Sequence, residues 1–264
     1  MLELVGVVLD IFTFLVRNLR KIVTGAPYRY DYFGDHLAVR KKVVPFLDDE
    51  KFNLTWEQLC KETNPHWIGG TPDIRWRIHI CIWAAEACMR LEGDFAEFGV
   101  NTGLLSTMIM RNTNFDKSGK NFFLFDTYEG IPQSMASQNE MAGVEKMNKN
   151  MYTGNPANKK IIDFVRKQFE PYPSSKIVKG LLPGTIDDVT FDKLSYVSID
   201  LNITSAEIAV IEAIWDRITP GGLVILDDYG LSGHSEQKAA WDDFAKKSQR
   251  MILALPTGQG ILQR

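Results

Sequence analysis

The chain reads as an α/β protein: a Rossmann-like, mostly parallel, doubly wound sheet with an antiparallel C-terminal hairpin and an N-terminal helical extension. Three observations predict this. From residue 94 onward, short apolar runs alternate with helix-period segments, the pattern of strands joined by crossover helices. Several of those runs end on a carboxylate. The last thirteen residues or so, "MILALPTGQGILQ", place two apolar runs around a Gly-rich turn, which predicts a hairpin.

The elements follow in order. Leu2, Val5, Leu9, Phe12, Val16, Leu19 and Val23 keep a three-four spacing, one seam of a helix suited to oligomer or domain packing. Glu3 precedes the apolar run and Asp10 interrupts it, unlike a secretory signal or a membrane span of about 20 residues. Arg17, Arg20 and Lys21 leave peripheral membrane contact as the minority reading. Residues 26–70 carry no readable chemistry and are grouped with this extension; the main domain is expected over 71–264. "TPDIRWRIHICIWAAEACMRL" predicts a helix with Thr71 as N-cap, Pro72 at its first position and Ile74, Ile78, Cys81, Ile82 and Ala85 on its apolar face. His79 in it reads as structural. Strands are expected at 94–100, 121–126, 176–180, 194–200 and from Gly222, with helices opening at Gly103, Ser205 and Glu236. Residues 131–160 are long and polar and read as a loop, the natural place for a substrate lid.

With 264 residues and 45% hydrophobic content, the chain can build one sizeable core. Its 30 basic and 33 acidic residues give no basic excess, so a nucleic-acid partner is not expected. Cys60, Cys81 and Cys88 form no C-x-x-C pair and read as reduced structural thiols, in keeping with a cytoplasmic protein.

In an open parallel sheet, ligands bind beyond the carboxyl ends of the strands. Asp126, Asp200, Asp227 and Asp228 fall at such ends and Glu97 just before one, so five carboxylates share a rim. The first turn, "EFGVNTG", has Gly99 and Gly103 for close backbone passage but lacks G-x-G-x-x-G, which argues against a pyrophosphate cradle. Glu97 suits a cationic amino-acid group, and Asp126 suits ribose hydroxyls. S-adenosylmethionine has both. Asp227 and Asp228 are adjacent like charges and need an offsetting cation. With Asp200 they predict a Mg²⁺ site, since that ion prefers oxygen ligands.

The motifs "EFGVNTG", "FDTYEGIP", "SIDLN", "ITPGGLVILDDYG" and "KAAWDDF" resemble the macrocin/mycinamicin-type O-methyltransferases over about residues 72–250. The resemblance implies a class I methyltransferase fold, S-adenosylmethionine as donor, Mg²⁺ on Asp200, Asp227 and Asp228, and a hydroxyl acceptor on a sugar or sugar-like small molecule. Thr102, Thr127 and Gly180, in the turns after the first three strands, and Asp200 complete the expected donor contacts. The family's Asp-x-Asp-x-Tyr reads Asp200-Leu201-Asn202-Ile203-Thr204 here. Asn202 therefore stands where an acid can serve as base, and an amide cannot take that proton. Asp200, His234 or the metal is left to activate the hydroxyl. The alternatives are a non-catalytic S-adenosylmethionine-binding member and, further off, a nicotinamide-dependent oxidoreductase.

Overall fold

The computed structural model describes residues 30–264, which divide between Val44 and Pro45 into two compact units. The predicted helical seam and the Arg17–Arg20–Lys21 cluster lie outside the described residues. The smaller unit carries a hairpin, β1 (Tyr32–Gly34) and β2 (Leu37–Val39). Its two-residue turn, Asp35 and His36, has φ of 48° and 59°, the left-handed pair that matches strand twist.

The larger unit is built on a seven-stranded sheet. Its strands are β3 (Asp94–Phe98), β4 (Phe122–Asp126), β5 (Ser175–Lys179), β6 (Leu194–Ile199), β7 (Ile218–Leu226), β8 (Ile252–Ala254) and β9 (Gly260–Gln263). They run in the order β5-β4-β3-β6-β7-β9-β8. The first five are parallel; β9 lies antiparallel to β7 and to β8. The predicted terminal hairpin is therefore the antiparallel edge. Every residue of β4 and β6 is buried, as continuous apolar runs require when helices cover both faces.

The helices are α1 (Glu50–Thr63), α2 (Arg75–Cys88), α3 (Leu104–Thr113), α4 (Gln138–Asn148), α5 (Ile161–Phe169), α6 (Thr204–Ile214) and α7 (Ser235–Lys247). Alternate strand residues split between the two faces. Ala96, Phe98, Phe125, Ile199, Val224 and Leu226 pack with Val210, Ile211 and Trp241 of α6 and α7. Phe98 and Phe125 stack with centroids 4.8 Å apart. Glu97 and Ser198, paired in register, belong to the opposite set.

Three local expectations are corrected. The helix predicted from Thr71 begins at Arg75, with Ile74 at its N-cap position and no side-chain cap. Thr71 instead takes the Asn64 side chain on its amide and meets Thr63 Oγ1 at 3.0 Å. The strand expected from Gly222 begins at Ile218, its first turn irregular because Gly221 sits at φ 88°. Residues 131–160 are not a loop: they hold α4 and short tighter or wider helical turns at Gln133–Met135, Lys149–Thr153 and Pro156–Lys160. Ser137 and Glu140 form a reciprocal capping box at the start of α4, the S-x-x-E signal that the polar composition masks. Residues 50–63 form α1, capped by Asp49, and Lys51 donates to the Asn112 carbonyl of α3 at 2.9 Å.

Cys81 and Cys88 are buried and Cys60 half-buried, all as free thiols. Among the described residues no helix is long and apolar enough to cross a membrane.

Candidate active site

The rim is stitched by main-chain bonds that continue the ladder past the strand ends. Gly99 N–H donates to Phe125 O at 2.8 Å, Asp200 N–H to Phe98 O at 2.8 Å, and Asp227 N–H to Ile199 O at 3.1 Å. All five predicted carboxylates therefore stand at the carboxyl edge of one sheet. Gly99 is required there. Its φ is +97°, and a Cβ would lie 1.9 Å from the Asp200 carbonyl oxygen, which no side chain tolerates.

Glu97 is buried, and its Oε2 has no hydrogen-bond partner. Burial pushes its carboxyl up to about 8, with Asp126 and Asp227 adding to the rise. Thr102, on the turn that follows, is also buried with its hydroxyl unpartnered, as is the Asn101 side-chain oxygen. Buried polar atoms ordinarily find partners, so these orphans mark a place shaped for a ligand. Gly103 holds the left-handed N-cap position of α3, and a Cβ there would meet the Phe169 ring at 2.6 Å.

Asp126 is held by main-chain amides. Its Oδ2 accepts Val100 and Asn101 N–H, each at 2.8 Å, and its Oδ1 accepts Tyr128 N–H at 2.6 Å. It ties the first turn to the second. Burial raises its carboxyl above the ordinary range, against these three amides. Thr127 Oγ1 closes a tight turn onto Gly130 O at 2.7 Å. Gly180 N–H donates to Asp126 O at 3.0 Å, which puts the third turn beside the second.

At the other end of the rim, β7 stops at Leu226, so Asp227 and Asp228 leave the strand alternation and converge. They converge on Arg77. Its Nη1 donates to Asp227 Oδ2 at 2.6 Å, Asp228 Oδ1 at 3.1 Å and Asp227 O at 3.1 Å. Gln259 Nε2 donates to Asp227 Oδ1 at 3.1 Å. Burial pushes Asp227 up to about 6, while Arg77 opposes the rise. Asp200 is held well above the ordinary carboxylate range by burial and by Asp227 and Asp228; Asn202 Nδ2 donates to its Oδ1 at 2.7 Å.

The expected Mg²⁺ centre does not fit this arrangement. Among the described residues no group of three His, Cys, Asp or Glu side chains is placed to hold a metal ion. The facing oxygens of Asp227 and Asp228 are already bound to a guanidinium. Arg77 is the residue that sequence reasoning missed. The signal was present: an arginine at 77 shares the apolar face of Ile74, Ile78 and Cys81, and a charge on a core face needs a partner.

Beside these acids lies a cavity of about 380 Å³, walled by α4 and the start of α7. Asn139, Glu140, Lys146, Asn202, His234 and Gln237 line it. His234 Nδ1 is 2.7 Å from Gln237 Oε1, and its Nε2 is 3.8 Å from Asp228 Oδ2. Gln237 is buried beside Glu207 and favours its ionised form; the Glu207 carboxylate accepts Leu201 N–H at 3.1 Å and Trp241 Nε1–H at 2.8 Å. With the Gln237 oxygen facing the ring, the Nδ1–H tautomer of His234 makes this bond and leaves Nε2 as the acceptor.

The comparisons agree with this architecture. In structure, NovP, an O-methyltransferase, aligns with a TM-score of 0.64 at 17% identity over 81% of this chain and 97% of its own. CalS11, a calicheamicin methyltransferase, aligns with a TM-score of 0.55 at 17% identity over 85% and 98%. The apo form of CalS11, described as a TDP-rhamnose 3'-O-methyltransferase, gives a TM-score of 0.51 at 16% identity over 95% and 93%. A comparison with curated protein sequences gives no match. The profile of the macrocin O-methyltransferases (TylF) matches residues 78–254, which span the sheet from α2 to β8. The chain belongs to the TylF macrocin O-methyltransferase family, whose members are S-adenosylmethionine-dependent O-methyltransferases.

Proposed function

We propose that this protein methylates a hydroxyl of a sugar or sugar-like small molecule, with the donor at the Glu97–Gly103 turn and the acceptor in the cavity between α4 and α7. The observation that carries the reading is the set of orphaned buried polar atoms at Glu97, Asn101 and Thr102, joined through Asp200, whose carbonyl packs on Gly99 and whose Oδ1 takes Asn202, to a cavity lined by amides, acids and a histidine. A sugar presents many hydroxyls, and such a lining answers them with donors and acceptors. The sugar methyltransferase described for CalS11 on the same fold supports this acceptor class.

When bound, S-adenosylmethionine supplies a methyl group on a positively charged sulfur. Glu97 offers a carboxylate to the donor's ammonium group. Its proton leaves as the cation arrives, because a nearby opposite charge favours the ionised form. Gly99 and Gly103 let the backbone approach. His234 Nε2 takes the proton of the acceptor hydroxyl, and Gln237 holds the ring in the required tautomer. Asn202 orients Asp200 and does not serve as base.

The experiment is a thermal-unfolding series with S-adenosylmethionine, S-adenosylhomocysteine and NAD, followed by labelled-methyl transfer to a panel of sugars and nucleotide-linked sugars. A ligand at 100 times its dissociation constant stabilises by about 2.7 kcal/mol. A shift with the first two ligands alone, then transfer to a sugar, is expected. A shift with NAD alone would move the chain to the oxidoreductases; donor binding without transfer to any hydroxyl would favour a binding protein. Self-association through the 2–23 seam belongs to the same proposal and is read by light scattering on the full chain against one lacking that segment.

A further inference from the structure

We propose that Arg77 is the built-in counter-ion of the Asp227–Asp228 pair, a guanidinium standing where the sequence leads one to expect a divalent cation, and that it keeps the rim acids in register without a bound metal. Its importance for methyl transfer rests on the function proposed above; the charge arrangement itself does not.

One nitrogen of Arg77 meets both carboxylates and the Asp227 carbonyl between 2.6 and 3.1 Å. The arginine side chain is 9% exposed, and those of Asp227 and Asp228 are 19% and 10% exposed. The remaining donors come from other parts of the fold. Gln259, fully buried in the β8–β9 turn, holds Asp227 Oδ1, and Asn202 of the β6–α6 turn holds Asp200 Oδ1. Thus Asp227 has a protein donor on each carboxylate oxygen, and Asp228 and Asp200 have one apiece. Guanidinium stays charged at every working pH, so this cation is always in place. A divalent ion taking the same oxygens would have to expel Arg77 and leave a guanidinium buried away from its acids, a costly exchange. Arg77 and a divalent cation therefore compete for one seat. Arg77 is a positioning residue: it reaches the reacting atoms only through the acids it holds.

The test uses the full chain, Mg²⁺ as the probe, and two readouts that need no acceptor: metal content after EDTA treatment and re-equilibration with Mg²⁺, and the thermal midpoint with Mg²⁺ or EDTA. Wild-type protein should retain substoichiometric Mg²⁺ and show the same midpoint in both buffers. Arg77→Met should lower the midpoint, and Mg²⁺, but not an equal ionic strength of KCl, should restore part of the loss with affinity at least about tenfold tighter than in wild type. Arg77→Lys should fall between the two. One-to-one Mg²⁺ uptake by the wild type with a raised midpoint overturns the proposal, and so does an Arg77→Met midpoint equal to wild type. If Arg77→Met does not fold, the wild-type metal content still decides. S-adenosylhomocysteine is run alongside: loss of its shift in wild type defeats the proposed function and leaves the Arg77 result standing.

Discussion

Glu97→Gln separates stability from donor binding. Burial lifts the Glu97 carboxyl from the ordinary 4.5 to about 8 in the folded chain. The folded value is above the unfolded one, so the stability linked to the bound proton is whole below pH 4.5 and is lost as pH rises toward 8. At pH 7 the interval is 7 − 4.5 = 2.5 pH units, which at 1.36 kcal/mol per unit gives about 3.4 kcal/mol. Glutamine is neutral throughout and removes this dependence. The ligand-free Glu97→Gln protein should therefore be more stable than wild type at pH 7, by up to about 3 kcal/mol, with a flatter profile between pH 5 and 8. Asp227, raised to about 6, titrates with the same sign in both proteins; because it adds to the Glu97 rise, removing the Glu97 charge also eases its ionisation, which acts in the same direction as the expected gain. The same substitution should abolish most of the stabilisation by S-adenosylhomocysteine, because an amide offers no charge to the ligand's ammonium. Urea unfolding at four pH values, with and without that ligand, reads both effects. Equal pH slopes in the two proteins would refute the burial argument. An undiminished ligand shift would remove Glu97 from the donor site.

Three further outcomes follow from the same geometry. Gly99→Ala forces a Cβ to within 1.9 Å of the Asp200 carbonyl and should cost on the order of 4 kcal/mol or prevent folding; a near-wild-type urea midpoint would contradict so close an approach. His234→Gln should slow methyl transfer by about 10²–10⁴-fold while sparing the S-adenosylhomocysteine shift; undiminished transfer would place proton removal on another group. Glu140→Ala removes the capping box and the bonds to Thr204, so it should lose about 1–2 kcal/mol and speed proteolysis within residues 131–160. Equal cleavage rates would show that the cap does not hold this segment.

The sheet and its rim were legible because two periodicities dominate them. Strands buried on both faces spell continuous apolar runs, and each acid marks where such a run meets the crevice. Glu97, Asp126, Asp200, Asp227 and Asp228 could be placed on one edge from sequence alone. What they bind could not. Carboxylates accept from any donor, and residue type does not say whether an amide, an arginine or a ligand arrives. Asp126 shows this: its position was readable, but its three backbone donors lie on the first and second turns, set by tertiary geometry. Arg77 was hidden for the opposite reason. Its partners are 150 and 151 residues away in sequence, and within its helix it reads as one more charge. The helical character of 131–160 was lost to composition, although Ser137 and Glu140 carried a start signal at the right spacing.

The cap of α4 has a consequence for altering acceptor choice. Glu140 serves two helices at once: its Oε2 takes Ser137 N–H, and its Oε1 takes the amide and hydroxyl of Thr204 at the start of α6. Ser137 and Asn139 also donate to Glu236 in the first turn of α7, and Ser205 donates to Met135 O. The segment that walls the cavity is thus keyed into two neighbouring helix starts. A chimera cut at 131 and 160 would carry the lock and leave its keyholes behind. Exchange of this cassette between related enzymes should succeed only when positions 204, 205 and 236 travel with it.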